Sequence, residues 1–140
     1  MYKHILVAID LSDEGGWRRP LVAGAEHARK FGAERTVLTV LQEVEAMVRA
    51  APLGCELFVA DLEKQLAARV REINAYDVHP KLFVTHGESI YGEILEQAKE
   101  AGANLIVVGS HQPALKDCLL GTNAGRVVRH SSCSVLVARE

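Results

Sequence analysis

The sequence predicts a single α/β domain with an open five-stranded parallel sheet, in the strand order 3-2-1-4-5, and helices on both faces. Strand-like and helix-like segments alternate along the chain, which implies right-handed β-α-β crossovers. Two strand patterns, Ile5–Ile9 and Leu105–Val108, are continuous apolar runs. Such runs are typical of parallel strands that are covered on both faces.

The individual elements follow from apolar spacing and from the residues that begin and end helices. Ser12 or Asp13 is a candidate cap of the first helix, Ser89 of the third, and Gly102 is a stop signal after it. Residues Gln42–Cys55 are the least patterned stretch, with a partly helical segment expected through Glu43–Arg49. The predicted strands are Lys3–Ile9, Arg35–Leu41, Lys81–His86, Asn104–Gly109 and Ser134–Ala138, and the predicted helices are Asp13–Phe31, Leu57–Tyr76, Ser89–Glu100 and Thr122–His130.

Size and charge limit the classes of protein that fit. The chain has 140 residues, a net charge of −2 and 49% hydrophobic residues, which suits one globular domain over residues 1–140. The balanced charge provides no broad basic face, so nucleic acid is not expected as a partner. No apolar run approaches the ~18 residues that cross a membrane, and Met1–Ile5 leads directly into a strand and not into a signal peptide.

The cysteines favour a reducing compartment. Cys55, Cys118 and Cys133 are an odd, scattered set, which suits free thiols better than disulfides and predicts a cytoplasmic protein. A zinc site would have to recruit His111 and His130 with two of these cysteines. Their spacing matches no compact ligand pair, so a metal site is not expected.

Two loops at strand ends are the candidate binding site, because ligands of open parallel sheets bind beyond the carboxyl ends of the strands. The first is Ala8–Ser12, and the second runs from Gly109 through Ser110, His111 and Gln112 to Gly121. The free N–H groups at the start of the fourth helix suit a phosphate, with Thr122 and Asn123 adding side-chain donors.

The alternative for this second loop is purely structural: Gly109 and Gly121 would be turn glycines and Thr122 a helix cap. Glycine spacing by itself leaves that alternative open. The sequence lacks both the Walker phosphate-binding loop and the Gly-x-Gly-x-x-Gly dinucleotide fingerprint. A receiver domain would need an acidic residue where strand three ends in Thr85-His86, and a flavodoxin would need a Ser/Thr-rich loop where this chain has Leu11–Gly15.

Three segments together resemble the universal stress protein family over essentially the whole chain. They are Ile5–Ser12, Gly102–His111, and Leu119–Ala124 with the following Val127–His130 and Cys133–Val137. The family's nucleotide-binding members carry a Gly, two residues, a Gly, nine residues, and Gly followed by Ser or Thr. Gly109 and Gly121-Thr122 match the ends of this motif, whereas Gln112 replaces the middle Gly and the loop is one residue shorter. The loop is similar to that of a subgroup reading Gly-Ser-His-Arg-Pro, with Gln112 in the place of the Arg.

The resemblance implies a Rossmann-like domain that binds an adenine nucleotide, ATP, ADP or AMP, together with Mg²⁺. It implies that Ala8, Ile9 and Asp10 border the base and ribose, and that Val40 meets the adenine. It also implies a two-fold homodimer through Ser134–Ala138, which would otherwise be an exposed edge strand. The implied phosphate contacts are Gly109, Ser110, His111 and Gln112 on one side, and Gly121, Thr122 and Asn123 on the helix side.

Several residues keep more than one interpretation. Asp10 either accepts a hydrogen bond from the nucleotide or caps the first helix, and His111 either touches a phosphate or lines the loop. His130 is interpreted as a cation at a helix carboxyl end, and Trp17 as a core or interface residue. The remaining histidines are interpreted as structural: His4, His27, His79 and His86.

Three functions are compatible with these residues. The first is a nucleotide-dependent regulatory module of the stress response. The second is a slow ATPase or self-phosphorylating protein with Ser110 and Thr122 as the nearest acceptors, although no general base or Mg²⁺-holding acidic pair is evident. The third is a nucleotide-free dimeric scaffold, which the Gln112 departure permits.

Overall fold

Five strands and four helices alternate along residues 1–11, 16–42, 55–73, 81–110 and 122–139, which the computed structural model describes. Most boundaries lie within one or two residues of those predicted, and the segment around Glu43–Arg49 lies outside the described residues. The elements are β1 (His4–Ile9), α1 (Arg18–Phe31), β2 (Glu34–Gln42), α2 (Cys55–Ile73), β3 (Lys81–Gly87), α3 (Ile90–Ala101), β4 (Leu105–Gly109), α4 (Thr122–His130) and β5 (Ser134–Ala138).

The strands form one parallel sheet in the order β3-β2-β1-β4-β5, as the sequence predicts. From β1 the chain moves outward to β2 and β3, and it then returns to place β4 and β5 on the other side of β1. The direction of winding therefore reverses between β1 and β4. In an open parallel sheet this is the point where the loops diverge and leave a crevice.

Each face of the sheet carries its own core, because successive side chains of a strand point to opposite faces. On one face, Val7 packs with buried residues of α1 and α2, including Leu21 and Leu66. On the other face, Leu6 packs with buried residues of α3 and α4, including Ile94 and Val127. The double coverage explains the continuous apolar runs Ile5–Ile9 of β1 and Leu105–Val108 of β4.

The start of α1 differs from the prediction. The helix begins at Arg18 and not at Asp13, and its N-cap residue is Trp17 and not Ser12 or Asp13, which themselves lie outside the described residues. Pro20 is tolerated because the first turn of a helix has no internal N–H bonds to lose. Trp17 is only 6% exposed and lies under the Arg69 guanidinium at 4.8 Å from its ring centroid, which makes it a core residue, as expected.

Both expected signals of α3 are confirmed. Ser89 is the N-cap residue, and its side-chain oxygen accepts a hydrogen bond from the Gly92 N–H at 3.3 Å. Gly102 ends the helix in the left-handed conformation, with φ of 69°, which costs an L-residue with a Cβ more than it costs glycine. Helix α2 is described from Cys55 to Ile73, and the predicted extension to Tyr76 lies outside the described residues.

Candidate functional site

Four residues form a row across the carboxyl edge of the sheet: Ser110, Asp10, Val40 and Thr85. Ile9 of β1 pairs with Thr39 of β2, so Asp10, one residue further on, lies level with Val40. Ala8 pairs with Val108 of β4, so Asp10, two residues further on, also lies level with Ser110. Val40 itself pairs with Thr85. With about 4.8 Å between neighbouring strands, this edge row spans about 14 Å from β4 to β3.

Of the predicted residues in β1, two contribute only backbone to this edge. Ala8 is 8% exposed and packs in the core beside α3 and α4, whereas Ile9 is 6% exposed and packs in the opposite core. Only their backbone atoms can therefore meet a ligand. Asp10 is exposed just beyond the strand, and it is not the cap of α1, because Trp17 holds that position.

Gly109 lies close to the start of α1, a contact that the sequence did not reveal. An added Cβ would lie 3.3 Å from the carbonyl oxygen of Gly16 and 3.5 Å from the Pro20 Cγ. Gly109 does not have a positive φ, so its backbone conformation does not itself require glycine. The missing side chain gives room to the start of α1, which passes directly over the end of β4.

Helix α4 points its amino end toward the edge row, because a crossover helix runs antiparallel to the strand that it follows. Asn123 is half-buried in its first turn, and Ala124 packs in the core with Ala8 and Val108. The first turn of a helix has N–H groups without partners within the helix and the positive end of the helix dipole, and in α4 this end lies at the carboxyl edge of the sheet. The side chain of Thr122 is not among those described.

An aromatic contact fixes α4 against α3. The Tyr91 ring lies between two side chains of α4: the Arg126 guanidinium is 5.2 Å from its centroid, and the His130 ring stacks on it at 5.8 Å. His130 thus ends α4, as expected, and also packs on an aromatic neighbour.

Three predicted site residues lie outside the described residues: His111, Gln112 and Gly121. Their assignment to the phosphates stays a prediction. The described residues that flank them are Ser110, directly after β4, and Thr122, the first residue of α4.

Sequence reasoning missed a polar cluster at the β3 end of the edge row. Glu93, in the first turn of α3, accepts hydrogen bonds at one carboxylate oxygen from Thr85 at 2.9 Å and from Gln97 at 3.1 Å. The spacing of Glu93 and Gln97, four residues apart on one helix face, could have indicated their hydrogen bond from the sequence. The link to Thr85 depends on the packing of α3 against β3.

Other polar groups lie away from this edge. His4 contacts Thr36 at 2.8 Å, and His27 contacts the Ala23 carbonyl at 2.8 Å, in agreement with structural roles. Burial lowers the pKa of Arg35, near the amino end of β2. Within the described ranges there is no cluster of three metal-ligating side chains and no helix long and apolar enough to cross a membrane.

Comparison with known proteins places this architecture in a defined class. The doubly wound α/β sheet, with its crevice at the point of reversal, is a Rossmann-like fold. The sequence model of the universal stress protein family matches residues 1–139, and the chain therefore belongs to that family. Universal stress protein YxiE of Bacillus subtilis is 33% identical over 153 residues, covering 99% of this chain and 100% of YxiE.

Solved structures agree on the fold. The universal stress protein UspA of Lactobacillus plantarum superposes with a TM-score of 0.79 at 21% identity, covering 99% of this chain and 98% of the other. A universal stress protein in complex with cAMP superposes with a TM-score of 0.67 at 23% identity, covering 99% of this chain and 97% of the other. The universal stress protein from Archaeoglobus fulgidus in complex with dAMP superposes with a TM-score of 0.63 at 19% identity, covering 98% of each chain.

Proposed function

We propose that this protein is a cytoplasmic, adenine-nucleotide-binding regulatory protein of the stress response, and that ATP occupies the crevice between β1 and β4. The observation that carries the proposal is the reversal of winding between β1 and β4, and the start of α4, which follows β4, at the same carboxyl edge of the sheet supports it. Residues 1–140 would act as one domain. Nucleotide-bound and nucleotide-free forms would present different surfaces to a partner protein.

The edge row divides the site into a phosphate end and a base end. At the phosphate end, backbone N–H groups of Thr122 and Asn123 would bind the phosphates from the helix side, and Gly109, Ser110, His111 and Gln112 would contact them from the other side. Gly121 would bring the backbone close to a phosphate, and Mg²⁺ would accompany ATP there. Asp10 stands at the ribose, beside the backbone of Ala8 and Ile9.

At the base end, Val40 provides an apolar surface for adenine. It is half-buried and packs on the core formed with α3 and α4. The complexes of two relatives with cAMP and with dAMP support an adenine nucleotide as the ligand. ATP is preferred in this proposal because the amino end of α4 offers several free N–H groups, which suit a chain of phosphates.

The sheet also supports a homodimer through β5. Among the described strands it pairs only with β4, and its residues Val135 and Val137 are half-buried in one subunit. An edge strand with apolar side chains is a template for pairing with a second copy. The two-fold interface would leave the two crevices on separate subunits.

Calorimetric titration of ATP into wild type and Thr122→Ala tests the phosphate site. We expect the variant to lose about tenfold in affinity, because a hydrogen bond to phosphate contributes about 1–2 kcal/mol. The matched control is Ser132→Ala, which removes an exposed hydroxyl just beyond the opposite end of α4 and should bind ATP like wild type.

Two results would contradict the proposal. Wild type that takes up no ATP at millimolar concentration, while remaining folded, would favour the nucleotide-free scaffold. Equal loss of affinity in Thr122→Ala and Ser132→Ala would mean that the nucleotide does not use the amino end of α4.

A further inference from the structure

The carboxylate of Glu93 is held in one orientation by two neutral donors. Thr85 Oγ1 donates to Glu93 Oε1 at 2.9 Å from β3, and Gln97 Nε2 donates to the same oxygen at 3.1 Å from the next turn of α3. All three side chains are half-buried. Among the described residues, both hydrogen bonds to this carboxylate go to Oε1, so Oε2 keeps its capacity to accept.

Glu93 Oε2 lies against a glycine. A Cβ added at Gly87, the last residue of β3, would lie 2.9 Å from Glu93 Oε2, so this oxygen packs directly against the end of β3. Gly87 pairs with Gln42, two residues beyond the pair of Val40 and Thr85. The free acceptor therefore lies at the outer tip of β3, beyond the level of the edge row.

This tip adjoins the base end of the proposed site. Phosphates at β4 and α4, ribose at Asp10 and base at Val40 follow one another along the edge row, and β3 is the next strand. The part of a purine remote from the ribose carries the 6-substituent, which is an amino donor in adenine and a carbonyl acceptor in guanine and hypoxanthine. An ionised carboxylate accepts hydrogen bonds and donates none.

We propose that Glu93 makes the site selective for adenine nucleotides by accepting a hydrogen bond from the 6-amino group, with Thr85 and Gln97 as positioning residues. This inference rests on the proposed nucleotide function. With the base in the same position, a 6-carbonyl would place two acceptors together at Glu93, and the neighbouring N1–H donor of such a base would reach the carboxylate only if the base shifted along the edge row. The negative charge is compatible with the ligand here because the base end is the end remote from the phosphates.

A structural role predicts different behaviour. Glu93 ties α3 to β3 and places a negative charge in the first turn of the helix, where the dipole favours it. If that were its whole contribution, its replacement would change stability and would affect all nucleotides equally. Base selectivity is thus the measurement that separates the two roles.

The experiment compares dissociation constants for ATP and for inosine triphosphate, which carries the 6-carbonyl, by calorimetry. Wild type is expected to bind ATP at least about tenfold more tightly, the usual effect of a hydrogen bond to a charged group. Glu93→Gln keeps the shape of the side chain, and its amide can present either a donor or an acceptor. In this variant the dissociation constants for ATP and inosine triphosphate should therefore differ by no more than about threefold.

Two further variants complete the design. Glu96→Gln removes a carboxylate from the exposed side of the same helix, so it should keep the wild-type ratio. Thr85→Val removes one positioning donor without changing the volume much, and its ratio should lie between those of wild type and Glu93→Gln. Thermal melting of each variant establishes that the protein is folded in the binding experiment.

The outcomes are distinct. A Glu93→Gln protein that binds ATP with an unchanged ratio to inosine triphosphate would overturn the role of Glu93 and leave nucleotide binding intact. A wild type that binds both nucleotides equally would also overturn it. A folded wild type that binds neither would overturn the proposed function together with this inference.

Discussion

Replacement of Gly24 by Ala tests how closely α1 approaches β1. Gly24 is buried in the middle of α1, and a Cβ there would overlap the Val7 Cγ2 atom and lie 3.5 Å from the Val7 Cβ. Val7 is fully buried at the centre of the sheet, so it cannot move aside without disturbing the core. Two effects of opposite sign therefore compete in Gly24→Ala.

The magnitudes decide between them. In a helix interior, alanine is more favourable than glycine by about 1 kcal/mol. Overpacking a close-packed core costs about 1–3 kcal/mol. Because the overlap is with a rigid, fully buried side chain, we take the upper half of that range and expect net destabilisation of about 1–2 kcal/mol.

A double-mutant cycle makes the prediction specific to this contact. Val7→Ala alone should cost about 2–3 kcal/mol, from lost burial and the cavity that remains. In the double variant the new methyl of residue 24 enters the space that Val7 vacated. The combined loss should therefore be smaller than the sum of the single losses by at least about 1 kcal/mol.

Urea denaturation measures these free energies of unfolding directly. Val22→Ala is the control, since Val22 is 40% exposed on the same helix and its replacement should stabilise the protein by a few tenths of a kcal/mol. A Gly24→Ala protein that is more stable than wild type by about 1 kcal/mol would refute the reasoning, because helix propensity alone would then account for the result.

Further tests address the ends of α3 and the outer edge of β5. Ser89→Ala should destabilise the protein by about 1 kcal/mol because it removes the N-cap hydrogen bond, whereas Ser89→Asp should retain stability. Equal melting temperatures of Ser89→Ala and wild type would contradict this role. The N–H groups of neighbouring strand residues point alternately toward β4 and toward the open edge of β5. One of the two variants Val137→Pro and Ala138→Pro should therefore remove an N–H donor from the open edge. Light scattering should show that this variant is a folded monomer and wild type a dimer, and a monomeric wild type would count against the proposed interface.

The sequence by itself determined the fold class and the order of the strands. The apolar runs Ile5–Ile9 and Leu105–Val108 indicate strands covered on both faces, and the alternation of elements then leaves few possible topologies. It also located the loops at the carboxyl ends of β1 and β4, and the helix end signals Ser89 and Gly102. These are local properties, since they depend on periodicity and on backbone preferences of single residues.

Only the tertiary structure decided which residues meet across the sheet. Gly109 lies close to Gly16 and Pro20, and the start of α1 is set by how Trp17 enters the core, and neither follows from local spacing. Glu93 was missed for the same reason. Its partner Thr85 belongs to a different element, and a hydrogen bond between elements depends on the register and packing that bring them together.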